Sequence, residues 1–180
     1  LKSFTGRLHR QKRELMQHFP APVFEHKICA PEDLSQRIAQ LAQPLVFTNG
    51  CFDILHRGHV TYLAQARALG GSLVLALNTD ASVKRQGKGD DRPINALENR
   101  LAVIAALQSV DLVTWFDEDT PAHLIELIQP QVLVKGGDWA IENIVGAKET
   151  QARGGKVVSI VFEHQTSTTQ TLAKIREAKA

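Results

Sequence analysis

The stretch VFTNGCFDILHRGH, residues 46–59, ends in two histidines three positions apart with a glycine between them. Imidazole is the side chain whose ordinary pKa lets it donate, accept or carry a proton near neutral pH. At a spacing of three, His56 and His59 fall on one side of the first turn of a helix, where both can donate N–H bonds to the oxygens of one anion. Gly58 opens that helix, so unpaired backbone N–H groups and the positive end of the helix dipole meet at the same place. The missing side chain is expected to leave room for a phosphate to approach the backbone. Either histidine alone reads equally as a helix cap or a satisfied surface group, and it is the pair that selects a phosphate site. No third His, Cys or carboxylate stands at a recognisable zinc spacing, so no metal site is expected. The chain has neither a G-x-G-x-x-G after this strand nor a P-loop. Nor does it have a G-x-S-x-G elbow or a Cys–His arrangement that would supply a covalent nucleophile. Cys51 reads as a small residue packed at the strand exit.

Such a pair needs a strand to deliver it and a helix to hold it. Apolar runs at 45–50, 72–78, 110–116, 131–136 and 156–162 are too apolar throughout for half-exposed strands and read as a buried parallel sheet. Helical patterns at 58–69, 96–108, 120–129, 141–153 and 168–178 alternate with them, and PEDLSQRIAQLAQ from Pro31 predicts a short amphipathic helix before the first strand. Strand–helix alternation implies right-handed crossovers and an α/β, Rossmann-like, doubly wound parallel sheet of five strands. In such a sheet ligands sit beyond the carboxyl ends of the strands, where the strand order reverses. The polar stretch NTDASVKRQGKGDDRPIN, 78–95, is read as a long mobile loop available for substrate contact.

The chain has 180 residues, 43% of them hydrophobic, enough for one domain with a substantial core. Residues 1–26 are read as an N-terminal extension, with Lys2, Arg7, Arg10, Lys12 and Arg13 preceding the first acid, and 27–180 as the catalytic domain. The extension is taken as a solvated appendage, a dimer arm being the alternative. A net charge of +2 argues against nucleic acid or a membrane as partner, and a homo-oligomer is left open. Two cysteines, no membrane-length apolar run and no secretory h-region fit a cytoplasmic protein.

TNGCFDILHRGHVTYLAQAR resembles the H-x-G-H signature of the nucleotidyltransferase superfamily, which joins a nucleoside triphosphate to a phosphorylated partner and releases pyrophosphate. NTDASVKRQGKGDDRPIN, LENRLAVIAAL, LVKGGDW and TSTT extend the likeness over roughly 27–178, and together resemble the adenylyltransferase branch acting on heptose 1-phosphate in lipopolysaccharide precursor synthesis. The resemblance implies that His56 and His59 hold the triphosphate and stabilise the transition state. It implies that Lys84 bridges phosphates and that the backbone of Asn49, Gly50, Cys51 and Phe52 lines the nucleotide site. Lys135, Gly136 and Asp138 of KGGDW are placed near base or ribose, with Trp139 read as a core cover. Ser167, Thr168 and Thr169 are placed on phosphate, a plain Ser/Thr cap being the alternative. Asp53, Arg92 and Arg100 are candidates for the acceptor, Asp53 reading equally as a turn residue and Arg100 as the partner of Glu98 or a neighbouring carboxylate.

ATP and a sugar 1-phosphate are the implied partners, and Mg²⁺ is expected to come with ATP. Cytidylyl transfer to glycerol 3-phosphate is the enzyme alternative, and a nucleotide-binding module without catalysis the non-enzyme one. Relatives that use CTP often carry an arginine just before Ser-Thr-Thr. EHQTSTT has none, which weakens the carry-over of an arginine role to this segment, His164 included.

Overall fold

A computed structural model describes residues 20–87, 89, 91–164 and 167–178. The basic residues of the N-terminal extension, and Thr166 of TSTT, lie outside these. Five strands form one sheet, β1 Leu45–Gly50, β2 Ser72–Asn78, β3 Leu112–Phe116, β4 Val132–Gly136 and β5 Lys156–Ile160. The order across the sheet is β3-β2-β1-β4-β5 and every pair is parallel. The helices are α1 Leu34–Ile38, α2 Arg57–Arg67, α3 Asp80–Arg85, α4 Leu97–Ala105, α5 Ala122–Ile128, α6 Ala147–Ala152 and α7 Thr168–Glu177. This is the doubly wound sheet that the apolar runs predict.

The runs are apolar throughout because both faces of the sheet are covered. On β2, Leu73, Leu75 and Leu77 face one core with Leu63 and Ala66 of α2 and Leu101 and Ile104 of α4. Val74 and Ala76 face the other, with Ile38 of α1, Ile125 of α5 and Ala147 of α6. Lys27 donates to the Leu107 carbonyl, and the Cys29 amide donates to Val113 on β3, so the chain is docked against the sheet before α1 begins.

Three expected elements differ. The helix expected over 141–153 is a 3-10 turn at Ile141–Asn143 followed by α6. Gly146 between them sits at φ +82°, and a Cβ there would come within 2.7 Å of Ile125, so the chain is redirected where only glycine fits. The expected strand 156–162 stops at Ile160; Val161 turns out toward solvent and Phe162 turns to pack edge-on against Tyr62. The loop expected over 78–95 contains α3. Thr79 caps it by accepting from the Ser82 amide, Ser82 Oγ donates to the Glu118 carbonyl, and Arg85 Nε donates to Asp119. Its short length and polar composition hide it in the sequence, because its apolar face is little more than Val83.

Candidate active site

β1 and β4 are neighbours in the sheet but not in the chain, so the strand order reverses between them. Their ladder holds at Val46–Val132 and Phe47–Leu133 only, whereas β1 stays paired with β2 out to Gly50–Leu77. Past Phe47 and Leu133 the two strands part. A cleft of about 250 Å³ opens there, lined by Asn49, Gly50, Cys51 and Phe52 from the β1 exit, His59 and Tyr62 from α2, Lys135, Gly136 and Trp139 from the β4 exit, and Phe162. Lys135 Nζ lies 3.4 Å from Asn49 Oδ1 and joins its two walls.

His56 occupies the N-cap of α2 with extended backbone, and His59 lies in the helix's first turn. Their rings stack at 3.8 Å between centroids, and Phe52 packs against His59 at 5.1 Å. The Nδ1 atoms of both histidines are buried without a protein hydrogen-bond partner. Buried polar atoms are nearly always satisfied, so two orphaned ring nitrogens side by side mark a place where a ligand completes the bonding. Burial lowers the pKa of His56, and burial followed by the neighbouring His56 charge lowers that of His59 to about 4. Both rings are therefore neutral at pH 7 in the unliganded protein. The space above Gly58 is filled differently from the expectation. A Cβ there would meet the His56 ring at 3.1 Å and the His164 carbonyl at 3.3 Å, so glycine makes room for the histidine and the 164 segment.

The low pKa of His59 makes folding pH-dependent. Between about 4 and the ordinary value of 6.5 the unfolded chain binds the proton that the folded chain refuses, so stability rises with pH across that window. It is fully present above 6.5 and is lost as pH falls through 4. Thermal melts are expected to show Tm falling from pH 7 toward pH 4, with a shallower fall for His59→Gln. Equal slopes for the two proteins would remove His59 as the source. Asp53 acts at lower pH. Burial alone would raise its pKa, but the Asn95 and Ile94 amides and Arg92 outweigh that and hold the carboxyl below its usual range.

The remaining candidate residues divide by where they point. Asp53 is fully buried, its Oδ2 accepting from Arg92 Nε at 2.5 Å and the Ile94 amide at 2.9 Å, its Oδ1 from the Asn95 amide at 2.9 Å. Arg92 is buried with it. Arg100 is buried on α4 with Asp80 as its carboxylate, not Glu98. None of the three lines this cleft, and each is bonded within the protein; Asp53 and Arg100 line a separate pocket of about 130 Å³ beside Phe52 and Asn95. Lys84 is exposed on α3, a helix rather than a loop, and Asp138 is exposed outside the cleft lining.

Ser167 caps α7 in a reciprocal capping box with Gln170, Thr168 Oγ1 donates to the Ile54 carbonyl at 3.3 Å, and Thr169 is exposed. Trp139 is not a core cover. It is 47% exposed and lines both this cleft and an adjoining one of about 120 Å³ with Asn143 and Val145. Tyr62 and Phe162 are cleft residues that no motif in the sequence singles out. Tyr62 carries a signal all the same, standing three residues after His59 on the same helix face.

Among the described residues no group of three His, Cys, Asp or Glu is placed to hold a metal ion, and no helix is long and apolar enough to cross a membrane.

The chain is 51% identical over 156 residues to the D-beta-D-heptose 1-phosphate adenylyltransferase of Bordetella bronchiseptica, covering 86% of this chain and 96% of that one. It is 53% identical over 150 residues to the bifunctional protein HldE of Marinomonas sp., covering 82% of this chain but 31% of that protein's length. A solved structure of the lipopolysaccharide core biosynthesis protein from Thermoplasma volcanium superposes with a TM-score of 0.54 at 27% identity, over 68% of this chain and 98% of that one. The family model described as cytidylyltransferase-like matches residues 47–175, from β1 through most of α7. With that span and those relatives, the chain belongs to the cytidylyltransferase-like family, as a nucleotidyltransferase.

Proposed function

We propose that this protein transfers the AMP group of ATP to D-glycero-D-manno-heptose 1-phosphate, giving ADP-heptose and pyrophosphate for the lipopolysaccharide core. The observation that carries the chemistry is the pair of stacked neutral imidazoles with orphaned Nδ1 atoms at the head of α2. The choice of substrate is supported by the Bordetella relative, matched along nearly its whole length.

In the reaction a phosphate oxygen of the sugar 1-phosphate attacks the α-phosphorus in line. The new P–O bond forms as the α–β bridge breaks, and the bond's electrons leave with pyrophosphate. The attacking oxygen is already ionised, so no general base is needed, and catalysis is positioning plus stabilisation of charge. Each neutral imidazole carries one N–H to give. As negative charge gathers on the phosphates the imidazolium form becomes favoured, so the hydrogen bonds strengthen toward the transition state. Mg²⁺ brought with ATP would neutralise phosphate charge, and the phosphates would supply most of its ligands.

Lys135 adds a cation between the walls of the cleft, and Gly50 and Gly136 make room for the Phe52, Tyr62 and Phe162 rings that line it. Lys84 stands on the helix that follows β2, at the same carboxyl edge of the sheet, and is assigned to the phosphates from there. Thr168 and Thr169 are assigned through the backbone N–H groups that open α7, since the Ser167 amide and the Ser167 and Thr168 hydroxyls are already engaged within the protein. We place the protein in the cytoplasm, where ATP is available.

The test is to mix protein, ATP, Mg²⁺ and heptose 1-phosphate. Equimolar pyrophosphate and ADP-heptose, the latter identified by mass, are expected. ATP binding without either product would favour a nucleotide-binding module.

A further inference from the structure

Arg100 is the largest side chain that the fold buries completely, 1% exposed beside Leu101 and Ile104 on α4. A guanidinium taken out of water must find acceptors for its N–H groups. Here Nε donates to the Asn95 carbonyl at 2.9 Å, Nη1 to the carbonyls of Cys51 and Asn78, each at 2.9 Å, and Nη2 to Asp80 at 2.6 Å. The four acceptors come from the turn after β1, the last residue of β2, the first turn of α3 and the turn before α4.

The Cys51 carbonyl is the acceptor nearest the chemistry, because it leads into Phe52. That residue sits at φ +44°, a left-handed conformation that a bulky residue keeps only when its surroundings impose it. The Phe52 ring packs against His59, and a Cβ on Gly50 would come within 2.9 Å of it. Asn95 fastens the next residue as well, its amide bonding the Asp53 carboxylate and its Nδ2 the Asp53 carbonyl at 2.6 Å. Arg100 does not line the cleft between β1 and β4, yet it bonds the turn after β1 that forms one cleft wall and the Asn95 turn that holds Asp53.

We infer that Arg100 is a positioning residue for nucleotidyl transfer, fixing the Cys51–Phe52 turn and, through the Phe52 ring, the placement of His59. The inference rests on the nucleotidyl-transfer reading of this site. Lysine cannot replace it, because one ammonium has no planar fork to span four acceptors arranged around a guanidinium.

Arg100→Lys keeps the charge opposite Asp80, and is expected to lower kcat about 30-fold with KM for ATP changed less than about 3-fold, the scale for a misplaced catalytic group. In a His59→Ala background the same substitution should cost less than about 2-fold, because the group that it positions is gone. Equal losses in both backgrounds would mean a general loss of folded protein and would overturn the inference, as would an unchanged kcat. Should Arg100→Lys not fold, Asp80→Asn removes the charged partner of Arg100, and the same pattern is expected with smaller amplitude.

The imidazole NMR signals of His59 give a readout without substrate. They should move in Arg100→Lys and stay in place in Ile104→Val, a core change on the same helix. His59 signals unmoved by Arg100→Lys sink the inference. If the wild-type protein releases no pyrophosphate, the adenylyl-transfer reading fails by itself, and these signals still decide whether Arg100 sets His59.

Discussion

Replacing His59 by alanine is expected to lower kcat by about 10²- to 10³-fold, the scale for losing one preorganised donor to a developing anion. The same range is expected for His56→Ala. The rings stack, each has a buried nitrogen without a protein partner, and neither spends a bond on holding the fold together. Loss of either should therefore fall on the transition state more than on ground-state binding, so ATP affinity should drop less than kcat. The two should also be coupled. With both removed the loss is expected to be smaller than the product of the single losses, because the remaining ring in each single variant loses its stacking partner as well as its companion donor. The measurement is kcat at saturating ATP and sugar phosphate for the two single variants and the double. A near-normal kcat in either single variant would refute the transition-state role given to that histidine.

The second large effect concerns choice of substrate. The protein is expected to prefer ATP to CTP and a heptose 1-phosphate to glycerol 3-phosphate. The family is described as cytidylyltransferase-like, while the Bordetella relative is named an adenylyltransferase, so family membership alone does not choose the base. Residues 163–169 contain no arginine. Base choice rests on a few hydrogen bonds to the ring edge, and the wrong base leaves buried donors or acceptors unpaired at about 1–3 kcal/mol each. That amounts to roughly 10- to 100-fold in kcat/KM for each lost pairing. Four nucleoside triphosphates set against several sugar and polyol phosphates, read by pyrophosphate release, decide the matter. If CTP with glycerol 3-phosphate gave the highest kcat/KM, the ADP-heptose proposal would fall and family membership would stand.

The legible parts of the sequence are those whose signal is local. Strand runs such as SLVLALN announce themselves because a strand covered on both faces must be apolar at every position, and the histidine pair announces itself by spacing alone. The network around Asp53, Arg92 and Arg100 is not legible, because it joins residues as far as 49 positions apart. Its one local trace is Arg100 itself, a charge set among Leu97, Leu101 and Ile104. An arginine in such a stripe needs partners from elsewhere in the chain, and spacing cannot name them. Trp139 escapes the sequence for a related reason. A tryptophan after an apolar strand suggests a core, but Gly137 at φ +119° turns the chain so that the indole stands at the cleft wall, donating to the Gly136 carbonyl at 3.2 Å.

The brief pairing of β1 with β4 also has a mechanical meaning. The other three ladders join their strands over five or six residues, and this one over two. The backbone therefore ties the sheet least between β1 and β4, and the join there rests on side chains, Phe47 and Leu133 sharing one core and Val46 and Val132 the other. His59 stands on one side of the cleft and Lys135 and Trp139 on the other, so the cleft opens where the sheet spends fewest hydrogen bonds on a strand pair.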